Sequence, residues 1–276
     1  MSQQSLDFGT KQPAQSGPEK RFLIGTSGYS FQDWKGTFYP ENIQNRDMLA
    51  FYAQRFRVAE INATYYRIPG PKTFEAILKK VTPDFEFVVK THQDMTHTRK
   101  AADEDYRIYG ECIAPLLDAR QLSGLLSQFP WSFQYSQANM DYIRAMRDRL
   151  PPVPLVVEFR HESWLRDETY GFLRAENIIY SCVDEPHLKG LIPPQDVTTS
   201  EKFGYVRLHG RNAKHWWQGG ALRYDYSYSD QELNDWAERL KNMSKNARKI
   251  FVLFNNCHLG QAAKNAITLM MMMGEG

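Results

Sequence analysis

The sequence predicts an α/β fold, a single (β/α)8 TIM-type barrel whose active face lies at the C-terminal ends of the strands. Three observations carry this expectation. Eight short apolar or β-branched runs recur along the chain, and helical periodicity fills most of the intervals between them. No glycine-rich GxGxxG turn follows the first run, as an open dinucleotide-binding sheet would require. A length of 276 residues suits one barrel and buries a core without disulfide or metal staples.

The strand candidates are residues 22–26 (FLIGT), 58–62 (VAEIN), 85–90 (FEFVVK), 122–129 (LSGLLSQF), 155–160 (LVVEFR), 178–183 (IIYSCV), 205–209 (YVRLH) and 250–255 (IFVLFN). Leu49, Tyr52, Ala53 and Phe56 share a helical face ahead of the second strand. Tyr109, Ile113, Leu116 and Leu117 do so ahead of the fourth, and Met140, Ile143, Met146 and Leu150 ahead of the fifth. Ser229 and Glu232 form a capping box that opens a helix carrying Leu233, Trp236, Ala237, Leu240 and Met243. Residues 262–273 read as a terminal helix, because Lys264, Asn265 and Thr268 interrupt any membrane-length apolar run. Residues 1–20 lack the hydrophobic middle of a signal peptide and read as a disordered tail, leaving the barrel over 21–274.

Charge narrows the function. With 34 Lys+Arg against 32 Asp+Glu, the net charge of +2 gives no global ground for binding nucleic acid or a membrane. Cys112, Cys182 and Cys257 are odd in number, far apart and free of CxxC spacing, which argues for a reducing, cytoplasmic home.

The strand ends turn polar abruptly, and barrel chemistry sits there. Thr26 and Ser27 end the first, Glu60 and Asn62 the second, Lys90 and His92 the third, and Gln128 the fourth. Glu158 and Arg160 end the fifth, Asp184 the sixth, Arg207, His209 and Arg211 the seventh, and Asn255, Asn256 and His258 the eighth. Period-2 spacing puts Glu158 with Arg160, and Arg207 with His209, on shared faces. Three long loops fall on the same side: 28–45, 184–202 and 210–228, the last read as a lid carrying Trp216 and Trp217.

From these residues we expect an anion pocket of Lys90, Arg160, Arg207 and Arg211, since guanidinium forks take phosphate or carboxylate bidentately. The competing expectation is neutralisation by Glu60, Glu158 and Asp184 in buried ion-pair networks. Glu60, Glu158 and His209 are the candidates for proton transfer, and Asn62, Asn255, Asn256, Trp216 and Trp217 for further substrate contacts. Lys90 also stands where a Schiff-base lysine could sit. No cofactor is evident, and a divalent metal would require His92, His97, His209 or His258 to converge with Glu60 or Glu158. The expected partner is an anionic, phosphorylated or carboxylated, ring-bearing small molecule. If the protein is catalytic, phosphoester or glycosidic hydrolysis is the reaction class. The alternatives are non-catalytic nucleic-acid or nucleotide binding and an inactive scaffold.

The stretches GTSGYSFQDWKGTFYP (25–40), VAEINATYYRIP (58–69), FVVKTHQDMTH (87–97), LLSQFPWSF (125–133), VVEFRHESW (156–164), YVRLHGR (205–211) and LFNNCHLGQAAKNA (253–266) run in order along the chain. Together they resemble the successive signatures of the YecE-like family, domain of unknown function 72. The resemblance implies a TIM-type barrel over about residues 22 to 272, and it implies no reaction.

Overall fold

Alternation along each strand sends one set of side chains inward and the other toward the helices. In the computed structural model, which describes residues 22–275, the eight strands close into one parallel barrel in chain order. They are β1 (Phe22–Ser27), β2 (Val58–Ile61), β3 (Glu86–Lys90), β4 (Leu122–Gln128), β5 (Leu155–Glu158), β6 (Ile179–Asp184), β7 (Phe203–Leu208) and β8 (Lys249–Phe254). β8 pairs with β1 from Phe22↔Ile250 to Thr26↔Phe254, which completes the ring. The expected tail over residues 1–20 lies outside the described residues.

The barrel interior is layered. Leu23, Val58, Val88, Leu126, Val156, Ile179, Phe203, Tyr205, Phe251 and Leu253 form an apolar cluster of their own, separate from the larger core under the helices. Beneath it, Lys249 Nζ meets Glu86 Oε1 at 2.7 Å. Two residues further along the inward faces come Glu60, Lys90, Gln128, Glu158, Arg207 and Asn255. The polar layer therefore follows from strand parity, with the apolar cluster as its floor.

The helices obey the periodicity of the sequence. Ser229 accepts from Glu232 N at 3.3 Å and Glu232 Oε2 accepts from Ser229 N at 2.9 Å, the reciprocal capping box that opens Asp230–Met243. Gln261–Met273 packs Ala262, Ala263, Ala266 and Leu269 inward. No helix among the described residues is long and apolar enough to cross a membrane.

One connection departs from the repeat. No helix stands between β6 and β7. Residues 185–202 instead run back beside β6 as an irregular segment with a turn at 189–190. Thr199 Oγ1 accepts from Tyr180 N and donates to Ile178 O, both at 2.8 Å, and Cys182 Sγ lies 3.3 Å from Val197 O. A hydroxyl and a thiol thus stitch down the segment that the aperiodic sequence left without a helix.

Gly210 ends the inward alternation of β7. Its φ of +86° lies in the left-handed region, and a Cβ there would stand 2.6 Å from Tyr226 Cβ. Gly210→Ala should therefore cost about 2 kcal/mol or more in a denaturant titration, combining left-handed strain with overpacking. An unchanged midpoint would show that the turn is not needed.

Candidate functional site

The centre of the mouth is one guanidinium. Arg207, 2% exposed on β7, donates to Glu60 through Nε (2.9 Å) and Nη2 (2.7 Å) and to Glu158 through Nη1 (2.7 Å). Tyr205, one inward position below, donates its hydroxyl to Glu60 Oε2 at 2.8 Å. Arg160 extends the chain outward, with Nε 2.6 Å from Glu158 Oε1 and Nη1 2.9 Å from Glu185 Oε2. Burial, the largest influence on Glu158, would raise its pKa. The charges of Arg160 and Arg207, with the hydrogen bond from His209, overcome burial and hold the carboxyl well below the usual range.

His209 lies behind this network. Its Nε2 is 3.3 Å from Glu158 Oε1, and its Nδ1 is 2.9 Å from Asn255 Nδ2. An amide nitrogen only donates, so the ring is neutral with its proton on Nε2. Burial, followed by the charge of Arg160, lowers its pKa to about 3.

Two adjoining cavities open at this face. The inner one, about 370 Å³, is lined by Ser27, Tyr29, Phe31, Glu60, Asn62, Lys90, Gln128, Arg160, Arg207, Tyr224 and Asn255, among others. The outer one, about 280 Å³, is lined by Tyr65, Tyr66, Lys90, His97, Gln128, Pro130, Trp131, Arg160, Leu191, Trp216, Trp217, Arg223 and Tyr224. Lys90, Gln128, Arg160, Tyr65, Tyr66 and Tyr224 belong to both walls. The outer wall carries three permanent or potential cations and a histidine, with no carboxylate.

Aromatic faces hold those cations. Lys90 Nζ lies 4.3 Å from the Tyr65 ring centroid, and the guanidiniums of Arg160 and Arg223 lie 5.7 and 5.5 Å from the Trp216 ring. Lys90 Nζ also donates to Gln128 Oε1 at 2.9 Å. Burial, then the charge of Arg207, lowers the Lys90 pKa to about 7. Burial likewise raises Glu185 to about 7. His97, beside Lys90, falls to about 4 for the same first reason.

Of the residues expected from the sequence, Lys90, Arg160, Arg207, Glu60, Asn62, Asn255, Trp216 and Trp217 come together at the two cavities. Glu158 and His209 adjoin them but line neither, because Arg160 and Arg207 cover the carboxylate. Arg211 is displaced outright. The left-handed Gly210 turns it off the inward face, where it grips Asp184 at 2.7 Å and Glu232 at 2.9 Å. Asp184 itself points outward to Trp236 Nε1, so Glu185 is the carboxylate that β6 supplies to the mouth. Asn256 is also displaced, donating to Tyr226 O and Asn265 Oδ1 against the last helix. Trp216 is 3% exposed and roots the 210–228 loop, whereas Trp217 is 51% exposed.

The four histidines do not converge. His92 lies 3.5 Å from Asp94 Oδ2 and His258 3.8 Å from Asp225 Oδ2, while His209 sits against Glu158. Among the described residues no three His, Cys, Asp or Glu side chains gather as a metal site would require.

Sequence reasoning missed Glu185, Arg223, Tyr224, Tyr65 and Trp131. Strand parity could have found Glu185, since Ile179, Ser181 and Val183 share its face. Arg223 and Tyr224 lie in an aperiodic loop that gave no such signal.

A family model described as "Protein of unknown function DUF72" matches residues 23–276. The UPF0759 protein YunF of Bacillus subtilis (strain 168) is 32% identical over 259 residues, spanning 88% of this chain and 91% of its own. The crystal structure of a DUF72 family protein from Thermotoga maritima MSB8 superposes with a TM-score of 0.86 at 41% identity, covering 93% of this chain and 100% of that one. A DUF72 family protein from Enterococcus faecalis V583 gives 0.83 at 26% identity, covering 92% and 95%.

Arg207→Met strands Glu60 and Glu158 without their shared cation and should cost about 3–5 kcal/mol in a denaturant titration. Lys90→Met should act oppositely. A lysine whose folded pKa is depressed destabilises most below that pKa, and the cost fades as pH rises toward the unfolded value. The variant should gain about 1–3 kcal/mol, most at and below pH 7 and least near pH 10. Trp216→Ala should lose about 3 kcal/mol, while Trp217→Ala stays within about 0.5 kcal/mol by thermal melting.

Proposed function

The chain belongs to the DUF72 family, whose description names no reaction, and from its own geometry we propose that it is an enzyme for an anionic, ring-bearing small molecule. The observation that carries this reading is the outer cavity, where Lys90, Arg160 and Arg223 face aromatic walls and no carboxylate. Arg223 Nε is buried without a hydrogen-bond partner, so a donor waits there for an acceptor. A phosphate or carboxylate satisfies it, and the indole and phenol faces accept the ring.

The anion is bound by Lys90, Arg160 and Arg223 rather than by Arg207, whose donors are committed to Glu60, Glu158 and Ser27. The inner cavity takes the reacting end. Lys90 spans both cavities and is poised near neutrality, which makes it the candidate for proton transfer in place of His209 and Glu158. Nucleic acid is the less favoured partner, since the cations lie within loop-walled cups of a few hundred Å³ rather than along an open track. Three buried, free cysteines support a reducing compartment such as the cytoplasm.

A thermal-shift series of phenyl phosphate, benzoate and benzyl alcohol tests the reading. The two anions should raise Tm by several degrees at about a hundred times Kd, where binding contributes about 2.7 kcal/mol, and the neutral alcohol should not. Arg223→Gln should abolish the shift while leaving the apo melting temperature nearly unchanged. Equal shifts for all three compounds, or full retention in Arg223→Gln, would sink the anion site.

A further inference from the structure

The cations of the mouth divide by partner. Arg207 and Arg160 are ion-paired to carboxylates, whereas Lys90 and Arg223 have none within salt-bridge distance among the described residues. A lysine, unlike an arginine, can lose its proton, and the geometry around Lys90 makes that loss cheap.

The end of β3 is fixed from behind. Thr64 Oγ1 and Tyr109 OH both donate to the Lys90 carbonyl, at 2.5 and 3.2 Å. In front, the Gln128 amide is oriented by its own bond from Nε2 to Phe129 O at 2.7 Å, which leaves Oε1 to accept from Lys90 Nζ. A neutral amine still donates to that oxygen. Deprotonation therefore breaks no direct ion pair, unlike the same event in a carboxylate-paired lysine. The Lys90 side chain lines both cavities, with Nζ over the Tyr65 ring.

We propose that Lys90 is a nucleophile that forms a Schiff base with the carbonyl carbon of an anionic aldehyde or ketone, an inference that rests on the anion-site reading above. The Nζ lone pair attacks the carbonyl carbon, and the carbonyl π pair moves to oxygen, which takes a proton from nitrogen. The carbinolamine then expels its hydroxyl with the second nitrogen proton as water, leaving C=N. No oxidant or reductant is consumed. The anionic group in the outer cavity orients the substrate, and the carbonyl sits at the inner edge.

The charges around Nζ agree with this role. Arg207 on β7 and Arg160 after β5 disfavour the ammonium, Glu158 and Glu60 favour it, and His97 and Tyr65 face it from the loops. With burial added, the amine titrates at about 7. Near pH 7 it is about half neutral, whereas an ordinary lysine is neutral about once in 10³.

Pyridoxal 5′-phosphate, an anionic aromatic aldehyde, is the probe. The full chain is incubated with it at pH 7, reduced with borohydride and mapped by peptide mass spectrometry. Lys90 should be labelled on the order of 10–100 times faster than any other lysine, with a rate that rises through about pH 7. Pyridoxine 5′-phosphate keeps the ring and phosphate but lacks the carbonyl, and its thermal shift reports the anion site alone. Lys90→Arg should lose the label, and the pyridoxine 5′-phosphate shift of the unaltered chain remains the readout of the anion site. A shift with pyridoxine 5′-phosphate but no selective label on Lys90 overturns the nucleophile and leaves the anion site standing. A selective label without the shift overturns the anion site and retains the nucleophile. Uniform surface labelling with no shift overturns both.

Discussion

Arg207 closes the barrel electrically. Its guanidinium lies on an apolar floor, gripped by Glu60 of β2 and Glu158 of β5, so three strands that are not neighbours meet through one side chain. Each ion loses several kcal/mol of hydration there, while each contact, at an effective dielectric of about 20 and a charge separation of about 4 Å, returns about 4 kcal/mol. The cluster comes out near break-even, so stability alone does not account for it. What it supplies is placement. Glu158 fixes Arg160, and Arg160 reaches Glu185, which also accepts from Ile192 N at 3.1 Å and so tethers the helix-free segment after β6. The inner wall of the cleft is built on that chain.

The charge balance of the mouth is close to indifferent to one proton. Two guanidiniums meet three carboxylates, and Lys90 completes the neutral set. Burial moves both Glu185 and Lys90 to about 7. With both ionised the set is neutral, and with both uncharged it remains neutral. Loss of the Lys90 proton with Glu185 protonated therefore leaves the set neutral, while burial and the charge of Arg207 lower the Lys90 pKa.

Strand parity made the barrel and much of its polar layer legible in the sequence. Period-2 spacing alone places Glu158 with Arg160 and Arg207 with His209, and it places Glu60 and Lys90 above the apolar ring. The same rule, carried one residue further, separates outward Asp184 from inward Glu185. It fails at Gly210, where a single left-handed residue reverses the expected direction of Arg211. Asn256 left the site for a related reason, since the chain has turned toward the last helix by that point. Arg223 and Tyr224 were out of reach, because the residues of a long loop are brought to the cleft by tertiary packing and carry no period. Trp216 looked like lid material beside Trp217. Two guanidiniums stacked on its ring make it the root of that loop, a difference that adjacent identical residues cannot signal.

The nature of each cation's partner separates framework from ligand site. A carboxylate cancels the charge it holds, so Arg207, bound by Glu60 and Glu158, presents little field to anything entering from outside. An aromatic face orders a cation through its quadrupole and adds no negative charge, so the cation's field survives. Lys90 over Tyr65 and Arg223 over Trp216 are held in this second way, and Arg160 is held in both. Charge is consequently spent within the protein at the inner end of the cleft and left available at the outer end. The gradient runs from a neutral, apolar floor to a positive, aromatic rim. In the proposed reading, an anion with a ring attached lies along it, its charged group outward and its uncharged, reactive part against Lys90.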